Sequence, residues 1–362
     1  MMLENAKKEQ LKQDFEAWWN HDLKRPIIQV NLDSTEPLPY SRGQLLKMCY
    51  DPSISVQNVA NAYGENFKNS IYLGDAFPVY YQRVTGILGA FLGQQWDISE
   101  ENATVWYKEL NKSLAEIHPE FDPSFWFYQR TKDLLKAFSD VFGDDVALGI
   151  PDLGGMMDIV ESMRGANNSL MDLYDEPDEV LRLRNDIYAA FEKILTEMMD
   201  ILKDKPKLGY TGWITMLSQK PFYISQCDFC CMISAKQFDQ FVKGTLEKES
   251  QLVERSFYHL DGPGAVRHLD TILQCGFDGI QWVQGAGAES LDSGKWDDIF
   301  RKVRGSGKLL QVFISSAEDL KSIDHIVNVL DGDASGLAFI CYGRNEDRPI
   351  FEQYLTKYNV PF

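Results

Sequence analysis

The sequence predicts an α/β protein, a (β/α)8 barrel (TIM barrel) carrying a helical extension over residues 1–25. Eight apolar runs of strand length alternate with helical patterns to the end of the chain, and Gly or Pro punctuates the joins. At 362 residues the chain is longer than the roughly 250 of a minimal barrel. An open doubly wound sheet is the alternative built from the same pattern.

The elements follow in order. Over residues 9–20, Leu11, Phe15, Trp18 and Trp19 lie on one side of a polar helix, as in a helix packed on a larger body. PIIQVNLDS from Pro26 is the first strand, and Val56, Val59, Ala60 and Tyr63 give a helical period over 53–67. FPVYYQRVT from Phe77 is the second strand; GILGAFLGQQW, with three glycines, reads as a loop and short helix over the top of the fold. WYKELNKSLAE and PSFWFYQRTKDLLKAFSDVFG are amphipathic and read as a helical crossover, so residues 85–144 form an insertion between strands two and three. DVALGIPDLGG is the third strand and residues 176–203 a long helix. LGYTGWITM is read as the fourth strand, followed by a helix capped by Ser234; SFYHLD, FDGIQWVQGAG, KLLQVFIS and GLAFICYG are the fifth to eighth, with helices between and after them. One domain, 1–362, accounts for them all.

A net charge of −18 argues against nucleic acid, whose phosphates demand a positive footprint. No apolar run approaches the roughly 20 residues of a membrane span, and MMLENAKKEQLKQDFEAWW has no signal core, so a cytoplasmic enzyme with a small-molecule substrate is expected. A homo-oligomer is compatible with the sequence. Six cysteines, three of them Cys227, Cys230 and Cys231 in CDFCC, do not resemble a disulfide framework, and no second Cys pair follows at zinc-ribbon spacing. Neither GxGxxG nor GxxxxGK[ST] follows a strand, so no nucleotide cofactor is expected.

The chemistry centres on SFYHLDGPGAVRHLD, Ser256 to Asp270, which reads as strand, tight turn and helix. Strand alternation points His259 and Asp261 the same way at the strand's carboxyl end, where α/β folds keep their active sites. Taken alone, the pair is better read as a core histidine and a helix cap, and the rest of the chain lifts the functional reading. The other strand-end candidates are Asn31, Asp33, Tyr81, Asp152, Trp213, Gln281, Gln284 and Cys341, with Tyr81, Trp213, Gln281 and Gln284 as substrate contacts. This set is poor in Lys and Arg, which disfavours phosphorylated sugars. His259, Asp261 and Cys341 make a workable divalent-metal set, most naturally for zinc, if their donor atoms converge to roughly 3.5–4 Å. His268, in the following helix, is expected at the surface.

Five stretches resemble, in order, the uroporphyrinogen decarboxylase superfamily, which includes the cobalamin-dependent methyltransferases. They are FPVYYQRVTGILGAFLG, GIPDLGGMMDIVESMRGANNSLMDLYDEPDEV, QCDFCCMISAKQFDQFVKGTLEK, FYHLDGPGAVRHLDTILQCGFDGIQW and ICYGRNEDRPIFEQYL. The resemblance implies a barrel and one of two chemistries. The decarboxylases carry an early Arg-Gln-Ala-Gly-Arg segment that holds porphyrinogen carboxylates; RPIIQVNLDS lacks it, which argues against that substrate. The methyltransferases use a His-x-Cys pair and a late Cys as zinc ligands that turn a substrate thiol into a thiolate, with the methyl group on a corrinoid carried by a partner protein. His259 and Cys341 match the outer ligands, and Asp261 stands where the middle Cys would be, a harder donor. The resemblance implies methyl transfer first, with a metal-independent decarboxylase using Asp228 or Asp152 as the alternative. A non-catalytic small-molecule-binding barrel is a third reading. A glycosidase would need two flanking carboxyls, and no pair of strand-end Glu supplies them.

Overall fold

The computed structural model describes residues 3–33, 38–203 and 207–362, with the side chain of Asp33 outside that description. Its strands are β1 (Ile27–Asp33), β2 (Ile71–Gly74), β3 (Val79–Tyr80), β4 (Trp96–Ser99), β5 (Thr104–Tyr107), β6 (Ala147–Leu148), β7 (Phe222–Gln226), β8 (Arg255–Asp261), β9 (Gly279–Val283), β10 (Leu309–Ile314) and β11 (Leu337–Arg344). The central sheet has seven strands in the order β2-β1-β11-β10-β9-β8-β7. All its neighbours pair in parallel except β2, which runs antiparallel to β1. A separate parallel pair joins β3 to β6, and a bridge continues from Leu148 to Tyr210. The fold is thus mixed α/β with a mostly parallel sheet, and helices alternate with its strands as the sequence pattern requires.

Four elements differ from expectation, the first being DVALGIPDLGG, of which only Ala147 and Leu148 form a strand. LGYTGWITM is not a ladder strand: Tyr210 makes isolated bridges and Thr215 adopts φ 57°, a left-handed conformation that ends extension. The strand lies one segment later, at FYISQ, whose five residues are all buried. WYKELNKSLAE is no helix; its first residues belong to β5, which pairs with β4 as an antiparallel hairpin, and only Leu114–Glu116 form a 3-10 turn. Of FPVYYQRVT, only Val79 and Tyr80 join a ladder.

The amino-terminal helix, Asn5–Trp19, closes the sheet at its amino-terminal edge. Trp18 and Trp19 are buried; their indole N–H groups donate to the carbonyls of Leu337 (3.0 Å) and Leu217 (2.7 Å), and their rings pack on Phe257 and Phe222. Burying an indole requires such a partner, and here both find one. Nearby, Asp75 accepts from both terminal nitrogens of Arg25 (2.7 and 2.9 Å) and from the Ile28 N–H (2.9 Å), which ties the end of β2 to the start of β1. The insertion contributes the helix Trp126–Phe142, whose buried face of Phe127, Leu134, Leu135 and Phe138 meets the helix Val56–Lys68. Among the described residues no helix is long and apolar enough to cross a membrane.

Candidate active site at the carboxyl ends of the strands

Register places one row of polar side chains across four strands: Gln226 on β7, His259 on β8, Gln281 on β9 and Gln311 on β10 are successive partners. Just above this row opens a cleft of about 760 Å³ whose lining includes Tyr81, Asp152, Trp213, Gln226, Asp228 and His259. Tyr81, Asp152, Gln226, Asp228 and His259 stand at or beyond the carboxyl ends of β3, β6, β7 and β8, and Trp213 comes from the turn before β7. The hairpin β4–β5 adds Asn102, Ala103 and Thr104 to the rim, so the insertion covers the cleft by its turn. The GILGAFLG helix, by contrast, is buried beside it.

Gln281 fixes His259. Its amide oxygen meets Nδ1 at 2.5 Å, so Nδ1 carries the proton and Nε2 faces the carboxylates. Nε2 lies 3.8 Å from Asp261 Oδ2, and one donor atom each of Asp228, His259 and Asp261 falls within 4.8 Å of the others. Burial pushes the imidazolium down, but Asp261, Asp228 and Gln281 together hold the His259 pKa above its ordinary value. The Trp213 ring stands edge-on to the imidazole at 4.6 Å. Asp228 has its carboxyl pKa raised by burial, with His259 opposing and Asp261 adding to the rise.

Asp152 lies deeper. Burial pushes its pKa up to about 6, against hydrogen bonds from the Gly154 N–H (2.7 Å) and the Gln226 amide (3.2 and 3.3 Å). Behind it, Asp158 caps the Phe229 N–H at 2.8 Å, and burial first and Asp228 second raise its pKa well above the carboxylate range. Carboxyls that hold their protons well above the ordinary carboxylate range therefore border the His259 centre.

Of the predicted site residues, His259, Asp261, Asp228 and Asp152 are brought together, and Tyr81 and Trp213 line the cleft. Asn31 lines a smaller adjoining pocket. Cys341 does not join them. Ile340 pairs with Gln29 and Tyr342 with Asn31, both inward positions, so alternation turns Cys341 the other way, in the buried file of Val30 and Ile314. The expected His259-Asp261-Cys341 set is replaced by Asp228, His259 and Asp261. Gln281 is fully buried behind His259 and supports it, and Gln284 lies in the loop after β9; neither lines the cleft. His268 is buried rather than exposed, stacked on Phe238 at 4.3 Å with Nε2 at 2.9 Å from the Cys230 carbonyl. The cleft is also not free of positive charge, because Arg42 and Arg83 line it.

The donor types suit a divalent cation, although their spread of up to 4.8 Å is wider than the roughly 3.5–4 Å of ligands that share one ion and would have to close around it. His259 presents Nε2 with Nδ1 held by an outer partner, the usual state of a metal-binding imidazole, and two carboxylates complete three ligands. Without a thiolate the set favours nitrogen- and oxygen-seeking ions; zinc lies within its range, and harder ions suit it equally.

No protein-family model matches the chain, and no curated protein matches it. Among solved structures, the chain is similar to a methyltransferase from Methanosarcina mazei, with 14% sequence identity and a TM-score of 0.63 over 97% of this chain and 99% of that one. At this identity the similarity is one of fold alone.

Proposed function

We propose that the protein is a methyl-transfer enzyme of the uroporphyrinogen decarboxylase-like superfamily, a single (β/α)8 barrel over 1–362 acting in the cytoplasm on a small-molecule substrate. The observation that carries the reading is the convergence of Asp228, His259 and Asp261 at the strand ends. The methyltransferase-like fold supports it. A corrinoid on a partner protein as methyl carrier and a thiol as acceptor complete the reaction class.

In this reading Gln281 holds the Nδ1 proton, leaving Nε2 to bind, and Asp228 and Asp261 concentrate negative charge beside it. Trp213 stands edge-on against the imidazole and limits its rotation. Asp152 keeps a proton in mild acid and can hand it to a group in the cleft. A divalent cation held by Asp228, His259 and Asp261 would supply Lewis acidity that lowers the pKa of a thiol.

Asp152 also favours a second reading, a metal-independent decarboxylase, since a carboxyl with a pKa pushed up to about 6 suits protonation of a carbanion-like centre. Metal analysis of protein purified without chelators, with a methylcobalamin-to-thiol transfer assay, separates the two. Stoichiometric metal and transfer activity that disappear in His259→Ala and Asp228→Asn but persist in Cys341→Ala are expected. Metal-free protein that transfers no methyl group and releases CO2 from a carboxylated substrate would establish the second reading instead.

A further inference from the structure

Arg83 lies three residues beyond β3, half-buried at the junction of the cleft with a narrower pocket of about 160 Å³; Tyr81, Tyr342, Arg42 and Arg83 line both. Its guanidinium carbon is 5.3 Å from the centroid of the Tyr81 ring, and Tyr63, Tyr72 and Tyr342 are its other electrostatic neighbours. Among the described residues no carboxylate pairs with it, whereas Arg25 and Arg164, half-buried like it, have Asp75 and Asp172. Arg42, at the exposed rim, is likewise unpaired among them. A guanidinium cannot shed its proton, and a desolvated charge without a counter-ion is costly. Phenols soften that cost with their ring faces but carry no compensating charge at neutral pH.

We propose that Arg83 binds a carboxylate of the substrate, with Arg42 assisting at the rim, and hence that the substrate is a small carboxylate-bearing molecule. Its apolar body then runs over Tyr81, Tyr342 and Phe313, and its far end reaches Asp228 and His259, which line the same cleft. Arg83 is thereby a specificity-determining residue. A planar carboxylate matches the two parallel N–H donors of one guanidinium. A phosphate would call for a backbone nest, and its second charge would oppose Asp152 and Asp228. The subsite rests on the proposed function only for which end of the substrate reacts.

Benzoate is the probe, with benzamide as its uncharged counterpart and inorganic phosphate as the competing anion. In the full-length native protein, phenylglyoxal labelling mapped by mass spectrometry should modify Arg83, and benzoate should protect it where benzamide does not. By ligand-observed NMR, Arg83→Gln should weaken benzoate binding by about tenfold or more, with Arg83→Lys intermediate, because a lysine offers the charge without the fork. Equal labelling with and without benzoate, equal affinity in Arg83→Gln, or better protection by phosphate than by benzoate overturns the proposal. The labelling arm needs no variant to fold. The metal arm stands apart: Arg83→Gln keeps its metal if the His259 centre is as proposed, and Asp228→Asn keeps benzoate binding. Loss of the first prediction with the second intact therefore faults the proposed function and not the subsite.

Discussion

Gln281 and His259 are partners across adjacent strands, and the glutamine's amide oxygen accepts a hydrogen bond from the Nδ1–H, with the two heavy atoms 2.5 Å apart. This one contact decides which nitrogen of the imidazole looks into the cleft. Outer partners of metal-binding histidines fix both tautomer and ring orientation, so their loss is felt at the metal without touching it.

Gln281→Leu should lower divalent-metal affinity by about 10- to 100-fold while leaving the fold intact, as read by competition with a chromophoric chelator. Affinity in the native protein should rise with pH, because Asp261 and Asp228 favour the imidazolium that the metal must displace. A Gln281→Leu protein with unchanged affinity and unchanged pH profile would show that His259 is held by something else.

Asp152 sets a pH-dependent strain. Its carboxyl titrates at about 6 in the folded protein against an ordinary 3.8, so the folded state binds the proton more tightly. The favourable contribution is complete below the unfolded pKa and is lost as pH rises from about 4 to about 6. Asp152→Asn keeps an acceptor for the Gly154 N–H and removes the charge. It should gain up to about 3 kcal/mol over wild type at pH 7 and nothing at pH 3.5, by denaturant titration at both values.

Arg25→Met should be the most damaging of these substitutions. It strips Asp75, which is 1% exposed, of two hydrogen bonds and its counter-charge, and breaking one side of a buried pair costs about 3–5 kcal/mol. Arg25→Met combined with Asp75→Asn should recover part of that loss, since no bare charge then remains. If the double variant is no more stable than the single one, the pair's role lies in the backbone contact to Ile28 instead.

The alternation of strands and helices is legible because buried parallel strands are apolar runs of characteristic length, and β8 to β11 fall within or over SFYHLD, FDGIQWVQGAG, KLLQVFIS and GLAFICYG. The fourth strand was misplaced because LGYTGWITM and FYISQ are equally apolar; composition does not reveal that Thr215 turns the chain between them. That slip concealed Gln226, which sits at the end of β7 and bonds Asp152. His259 and Asp261 were visible as a period-two pair ahead of a turn. Cys341 failed by a single residue of phase, since a strand's two faces are indistinguishable when both are buried. Arg83 was in plain view in YYQRVT, but one cation in a strand run carries no signal until its missing counter-ion is seen.

The position of β11 has a consequence for how the chain reaches this state. It lies between β1 and β10, with Ile27 beside Ala338 and Leu310 beside Leu337, so β1 finds its parallel partner only once β11, far later in the chain, has been made. Until then β1 offers an unpaired apolar edge with only the short β2 against it, a template for association with other nascent chains. Closing so long a loop is entropically slow, and the sheet cannot nucleate around β1 early. The docking of β11 should therefore be the late, rate-limiting event of folding, and shielding of that edge during synthesis should govern the yield of native protein.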